Sequence, residues 1–461
     1  MNNSYINDTK VNFLLFVLLS IILIGLFQIF WNISVWPFAD WDEGRHGVSA
    51  VEMMQSGNFV VNTYAGARDY WNLKPPLSFL PTTFVISIFG KSVATARLAS
   101  GLFASILLVI IALVYGRRYN LNVAIAALSL IVGCTFIFFR HAFRTADADS
   151  LFLLTMTLSV LSLSLSRSAL SLSFAALMVS IAWLTKSWHA LSIGSAFIIS
   201  YGYLLAERKL TPKHLYLPVI TLLALPLIWL YFRAQYDGIQ FVKKMVEYDL
   251  LHRSGSQIEG HISTPLMYIE QLKERFPMPA VVLAVLLPLS VFINGFKKTF
   301  SYDFVIIFTT MLITYSFYSV AQTRLYWYSY LSVILLCLSS AILVHKCHGV
   351  INNLATLACV VTMLYFSSQY YKNIKNSTLP DFYYQLKHVS YSGVKDLVIN
   401  GKITQSERMA IMFMTDFDFR KIHNTPINKE YILMSDKSSL NTHSSCTVIS
   451  TGAKFNFYKC Y

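Results

Sequence analysis

The sequence predicts an all-α polytopic membrane domain of about eleven transmembrane helices. Interfacial helices are expected in its first external loop, and a small α/β extracytoplasmic domain at its C-terminal end. Three observations carry this. Of 461 residues, 55% are hydrophobic and only 13% charged, against about 25% charged in a soluble globular chain. Apolar runs of about 17 to 22 residues, enough to cross a bilayer, recur along the chain. Beyond residue 371 the composition shifts towards Asn, Ser, Lys and Asp, which divides the chain into residues 1–371 and 372–461.

The runs fall at 12–31, 93–115, 122–139, 150–166, 170–186, 188–205, 215–232, 279–296, 303–320, 327–344 and 350–368. The first is longer than the core of a signal peptide. It is followed by Asn32-Ile33-Ser34-Val35-Trp36-Pro37, with aromatics where a cleavage site wants small residues, so it reads as an uncleaved helix. The run 77–90 is short, and Lys74-Pro75-Pro76 blocks its extension, so it reads as interfacial or re-entrant. Lys10, Arg117-Arg118, Arg167, Arg208, Lys209, Lys213, Lys297-Lys298 and Lys346 then all fall on one side. Basic loops face the cytoplasm, so the N-terminus is cytoplasmic and the tail periplasmic. The net charge of +14 is scattered over these loops and makes no nucleic-acid patch.

The tail holds short apolar runs, Met409 to Met414, Tyr431 to Met434 and Cys446 to Ser450, that read as strands. Of six cysteines, Cys446 and Cys460 lie in this tail. They pair as a disulfide if it faces an oxidising compartment, or remain two free thiols.

Polar residues beside the runs gather on the outer side, and an acid–base cluster this close to hydrocarbon points to function. The first is Trp41-Asp42-Glu43-Gly44-Arg45. Adjacent side chains cannot share one direction, so at most one of Asp42 and Glu43 enters a pocket. There it is a general base or an electrostatic anchor; otherwise the two are an acid pair favoured by a helix N-terminus. Lys74 is held extended by the proline after it. It suits a phosphate as a point charge, or it snorkels from an interfacial helix. The stretch from Arg140 to Asp149 contains His141 and Arg144 and ends in Asp147-Ala148-Asp149, an Asp-x-Asp pattern that binds a divalent metal in soluble nucleotide-sugar transferases. Asp149 reads equally as a helix cap. The loop after residue 233 carries Glu247, Asp249, His252, Arg253, Glu259, Gly260 and His261, whose histidines read as surface residues more readily than as ligands. Thr323-Arg324-Leu325-Tyr326-Trp327-Tyr328 has the make-up of an interfacial aromatic belt with its cation.

In this order the motifs resemble a known family. They are Trp41 to Arg45, Lys74-Pro75-Pro76-Leu77, Ala96-Arg97-Leu98, Arg144 to Leu151, Lys186, Glu259-Gly260-His261 and Arg324 to Tyr328. Together they resemble the membrane glycosyltransferases of the C-type fold, in the branch of protein O-mannosyltransferases and the 4-amino-4-deoxy-L-arabinose lipid A transferase. The matches cover most of residues 35 to 345 and little of the tail. The resemblance implies a polyprenyl-phosphate sugar donor, a lipid or glycan acceptor, and inversion at the anomeric carbon, while the shortness of the loops favours a bacterial inner membrane. It makes Asp42 and Asp149, with Glu43, the catalytic acids, and gives the donor phosphate to Arg45, Lys74 and Arg324. Arg144, Asp147, Lys186, Arg253, His261 and Tyr328 are its further substrate contacts. No cofactor is required; a divalent metal is possible but not indicated.

A lipid phosphate leaves as an anion, so it needs its charge stabilised rather than a proton; the Arg45–Lys74 pair is the candidate. The competing class is a lipid-linked sugar flippase. It predicts charges along helices facing a cavity, and the runs 122–139, 150–166, 303–320 and 327–344 are nearly free of them.

Overall fold

The computed structural model describes residues 2–256, 264–390, 392–417, 430–437 and 446–461. Each of the eleven apolar runs contains a helix. Seven helical stretches among the described residues are long and apolar enough to cross a membrane. An eighth arises if Met267–Arg275 and Met278–Asn294, bent by 98°, count as one. Leu121–Gly133 and Asp149–Leu165 are shorter apolar helices. The stretch Ala169–Ala206 spans 38 residues, roughly 55 Å at 1.5 Å per residue, nearly twice a hydrocarbon core of about 30 Å. A 3-10 turn, Ser187–Ile193, breaks it, and Ser187 there has φ 46°. The break falls where the sequence separates the runs 170–186 and 188–205, beside Lys186.

Helices Leu121–Gly133 and Tyr330–Lys346 are buried along nearly their whole length. Around them pack Asn2–Phe30, Val93–Arg118, Asp149–Leu165, Met278–Asn294, Tyr302–Val320 and Val350–Lys375. Two arginines finish the C-terminal end of the first helix. Arg144 donates to the carbonyls of Gln28, Trp31 and Asn32 at 2.7–2.8 Å. Arg97 donates to those of Ile33, Trp36 and Pro37. Carbonyls at a helix end lack intrahelical partners, and a buried cation answers both their need and the dipole.

The first loop opens with helix Asp42–Ser56, continues through a small hairpin of β1 (Thr63–Tyr64) and β2 (Ala67–Arg68), and ends in helix Leu80–Phe89. The short helix predicted at 77–90 is thus present.

The tail contributes helices Asp381–Ser390 and Gln405–Met414 and strands β3 (Leu397–Asn400), β4 (Tyr431–Asp436), β5 (Cys446–Thr451) and β6 (Phe455–Cys460). The sheet order is β3-β4-β6-β5, with β3 and β4 parallel and the other pairs antiparallel. Cys446 and Cys460 face each other across β5 and β6 and are disulfide-bonded. Met409 to Met414 is helix, not strand. Thr404 and Glu407 form a reciprocal capping box that starts it, a signal that outweighs a short apolar run, whose periodicity is ambiguous.

That tail helix lies against helix Asp42–Ser56. A Cβ on Gly44 would meet Met409 Sδ at 2.5 Å, and one on Gly47 would meet the Phe413 ring at 3.1 Å. Tyr383 Oη accepts from Phe38 N at 2.8 Å, and Ser406 Oγ donates to Phe38 O at 2.6 Å. Gly44→Ala is expected to lower stability by about 1–3 kcal/mol, the usual cost of overpacking. Met409→Ala added to it should restore part of the loss. Thermal unfolding in detergent checks both, and an additive double variant would speak against this contact.

Candidate functional site

Helix Asp42–Ser56 starts abruptly, because Trp41 takes φ 70°, a strained value for a large side chain. This leaves Asp42 in the first turn, where the dipole favours a carboxylate. Lys74 precedes Pro75, which has φ −68° and ψ 169°, and its Nζ lies 3.3 Å from Asp42 Oδ1. The turn after it, Pro76–Ser78, is tied to the break in Ala169–Ala206 by a hydrogen bond from Ser78 Oγ to Thr185 O. Lys186 ends the first limb of that stretch and pairs with Asp149 Oδ1 at 2.6 Å.

Asp42, Lys74, Lys186, Asp249, Arg253 and Tyr328 line one cavity, with Trp71, His189 and Trp327 also in its walls. The side chains leave 40 Å³, space for about one to a few waters. Arg253 reaches Asp249 at 3.2 Å and Tyr328 Oη at 3.2 Å. Behind Asp42 stands His141, its Nδ1 3.7 Å from Asp42 Oδ2 and 3.3 Å from Asp147 Oδ2. The imidazole is stacked on Trp327 with centroids 3.5 Å apart. A chain of ionisable side chains thus runs behind the cavity wall, from Lys74 through Asp42, His141 and Asp147 to Asp149 and Lys186.

Burial alone would push the Asp42 carboxyl up, but Lys74, with His141, His46 and Arg253, holds it well below the carboxylate range. Burial, together with the neighbouring carboxylates of Asp149, Glu43 and Asp42, pushes Asp147 well up. It therefore holds its proton above the usual carboxylate range, and a cation joining it would oppose that. Donor atoms of His141, Asp147 and Asp149 lie within 4.8 Å of one another, and this is where a metal ion would sit among the described residues.

Burial lowers His141 to about 3 against the pull of Asp42, with Lys186, Lys74 and Arg140 adding to the lowering. Free histidine takes up its proton below about 6.5. Between these values the unfolded state binds the extra proton, so the His141 contribution to stability falls as the pH drops through that window. His46, also lowered to about 3 by burial, acts in the same direction, and Asp147 opposes it. Comparison with His141→Gln isolates the one group. The stability of that variant is expected to depend less steeply on pH between about 4 and 6.5, by up to about 1.4 kcal/mol per unit. Equal slopes for the two proteins would show that His141 titrates normally.

Several residues expected at the site serve the frame instead. Glu43 is turned away from Asp42 by the helix and is buried against Arg97, at 2.6 and 2.9 Å. It also accepts from the Ala39 and Ala146 N–H groups. Arg45 is held by both oxygens of Asp69, at 2.6 and 2.8 Å, and packs on Tyr64 and Trp71. The Arg45–Lys74 pair is therefore not formed, since Arg45 already has its anion. Arg144 is spent on the carbonyls of the first helix. Arg324 Nε donates to Ser319 O, and Leu325, Trp327 and Tyr328 rather than Arg324 face the cavity. Glu259, Gly260 and His261 lie outside the described residues. The sequence by itself assigns no role to His141, His189 or Asp249. Only the proximity of His141 to the Asp-x-Asp pattern was a usable signal.

Residues 73–232 match the family described as dolichyl-phosphate-mannose-protein mannosyltransferase. No curated protein sequence matches the chain. Among solved structures it is similar to ArnT from Cupriavidus metallidurans bound to undecaprenyl phosphate. The identity is 11%, over 97% of this chain and 98% of that one, with a TM-score of 0.72. It is likewise similar to apo ArnT of that organism, at 10% identity over 98% of each chain and a TM-score of 0.69. The likeness covers bundle and tail alike, and the chain has the C-type membrane glycosyltransferase fold that its motifs led one to expect.

Proposed function

We propose that the chain is an inverting glycosyltransferase. It moves a sugar from a polyprenyl-phosphate donor to lipid A or another envelope glycan, lipid or protein, at the outer face of a bacterial inner membrane. One observation carries this reading: Asp42, Lys74, Lys186 and Arg253, from four distant segments, face a single cavity where helices end. The donor class is supported by the undecaprenyl phosphate bound to ArnT and by the dolichyl-phosphate sugar in the family description. The side of the membrane is supported by the Cys446–Cys460 bond, which needs an oxidising compartment. The tail shares that side with the first loop it packs on, opposite the basic loops.

The donor phosphate takes Lys74, Lys186 and Arg253 as its cations. An acceptor oxygen attacks the anomeric carbon from the opposite face, the bond from that carbon to the phosphate oxygen breaks, and the electron pair leaves with the lipid phosphate. Fixed cations stabilise the charge that develops there. As Lys74 turns to the phosphate it releases Asp42, whose basicity rises, and a hydroxyl acceptor then passes its proton to that carboxylate. A phosphate acceptor needs no such step. No metal enters this scheme; His141, Asp147 and Asp149 would hold one if it bound.

The test uses purified protein in detergent with an undecaprenyl-phosphate sugar and lipid A or envelope glycans as acceptors. Free lipid phosphate released together with glycosylated product is expected. Its absence across acceptors would overturn the reading and favour lipid-linked sugar transport.

A further inference from the structure

Beside the charged cavity lies a larger, more open recess of about 470 Å³, lined by Tyr70, Trp71, Lys244, Glu247, Tyr248 and His252. We propose that it is the acceptor subsite, holding a sugar ring of a phosphorylated glycan against its aromatic faces with the phosphate on Lys244. The proposal rests on the transferase reading and names where the second substrate sits.

Its position comes first. Trp71 is a wall of both cavities, so an occupant of the recess stands three residues from Lys74. One short π-helical segment, Met245–His252, serves both sides. Asp249 faces inward, whereas Glu247, Tyr248 and His252 face the recess. Such segments are uncommon and recur at functional sites.

The chemistry of the walls selects the occupant. Among the described residues no aliphatic side chain lines the recess, which disfavours a polyprenyl chain. Rings flanked by charged and hydrogen-bonding groups suit a sugar, which offers a C–H face to an aromatic and hydroxyls to its rim. Glu247 is paired with Lys243 at 3.8 Å. Lys244 has no ion pair among the described residues and is the cation left to meet an anion. The platform is also set in advance, which limits the ordering cost of binding. Trp71 stacks on Trp41 with centroids 5.7 Å apart and lies under the Arg45 guanidinium at 4.6 Å. Tyr70 Oη donates to Asp237 at 3.1 Å, and Tyr248 stacks on His252 at 5.7 Å. The volume lies within the range of about 300–1,000 Å³ typical of small-ligand sites.

The experiment measures binding to the full-length protein in nanodiscs with two separate probes, the bisphosphorylated glucosamine disaccharide of lipid A and undecaprenyl phosphate. Tyr248→Ala and Lys244→Gln are each expected to weaken disaccharide binding about tenfold or more, leaving undecaprenyl phosphate within about twofold of wild type. Tyr248→Phe should retain wild-type affinity for both. The proposal is overturned if wild type does not bind the disaccharide, if the variants bind it unchanged, or if undecaprenyl phosphate is the probe that is lost. That last result would place the prenyl lipid in the recess. Failure of the transferase reading looks different: no sugar transfer by wild type at all, whatever the variants bind.

Discussion

Lys74→Ala is expected to lower sugar transfer by at least about 10²–10³-fold, the cost of removing one preorganised group that stabilises developing charge. Turnover falls while the protein still inserts and keeps its thermal midpoint, because Lys74 is only partly buried and its one ion pair among the described residues, with Asp42, is loose at 3.3 Å. Asp42→Asn is expected to act in the same direction. It removes the carboxylate that Lys74 and His141 surround, and with a hydroxyl acceptor it removes the base as well. Initial rates with a polyprenyl-phosphate sugar, set beside unfolding curves of the same preparations, separate lost chemistry from lost structure. Turnover like wild type by either variant would remove that residue from the mechanism.

The neighbouring acid should do the reverse. Arg97→Ala is expected to destabilise the protein by about 3–5 kcal/mol, the range for stripping one partner from a buried ion pair. Both side chains of the pair are at most 2% exposed, so neither can turn to water. Glu43→Gln should cost less than Arg97→Ala, because its amide can still accept from Arg97, but far more than Asp42→Asn. Glu43 further ties the Ala39 and Ala146 backbones together, so its loss loosens the start of the helix that carries Asp42. The check is a pair of adjacent substitutions read on two axes, with Asp42→Asn failing in rate and Glu43→Gln in melting temperature. If both fail on the same axis, the division of labour between the two acids is wrong.

How far the sequence reaches is visible in these two residues. Apolar run length located every helix of the bundle, because spanning lipid imposes a length that few other constraints blur. It did not settle how many runs cross, since Leu121–Gly133 and Asp149–Leu165 fall short of a full span and Ala169–Ala206 is broken rather than ended. The motif spacing marked Asp42, Lys74, Lys186, Arg253 and Tyr328, which the fold brings to one cavity, and Asp149, which joins it through Lys186. What it could not show is which anion each arginine meets. A guanidinium suits a donor phosphate, the Asp69 carboxylate and a row of helix-end carbonyls almost equally well, so Arg45, Arg144 and Arg324 were read as ligand contacts while packing had assigned them elsewhere. Likewise His141 gains its place from a fold contact with Trp327, 186 positions away by numbering, and no local pattern encodes that. In the tail, the six residues from Met409 to Met414 fit either periodicity, and the capping box just before them decides for helix.

The contact between Gly44, Gly47 and the helix bearing Met409 and Phe413 bears on when the protein matures. Phe38 and Tyr383, joined by a hydrogen bond, are 345 positions apart. During synthesis the segment presenting Asp42 is made long before the surface that seats it. That segment can settle only once the later surface has been made and has folded beside it. Exchanging tails between related chains should therefore fail unless the two glycines and their opposing side chains travel together.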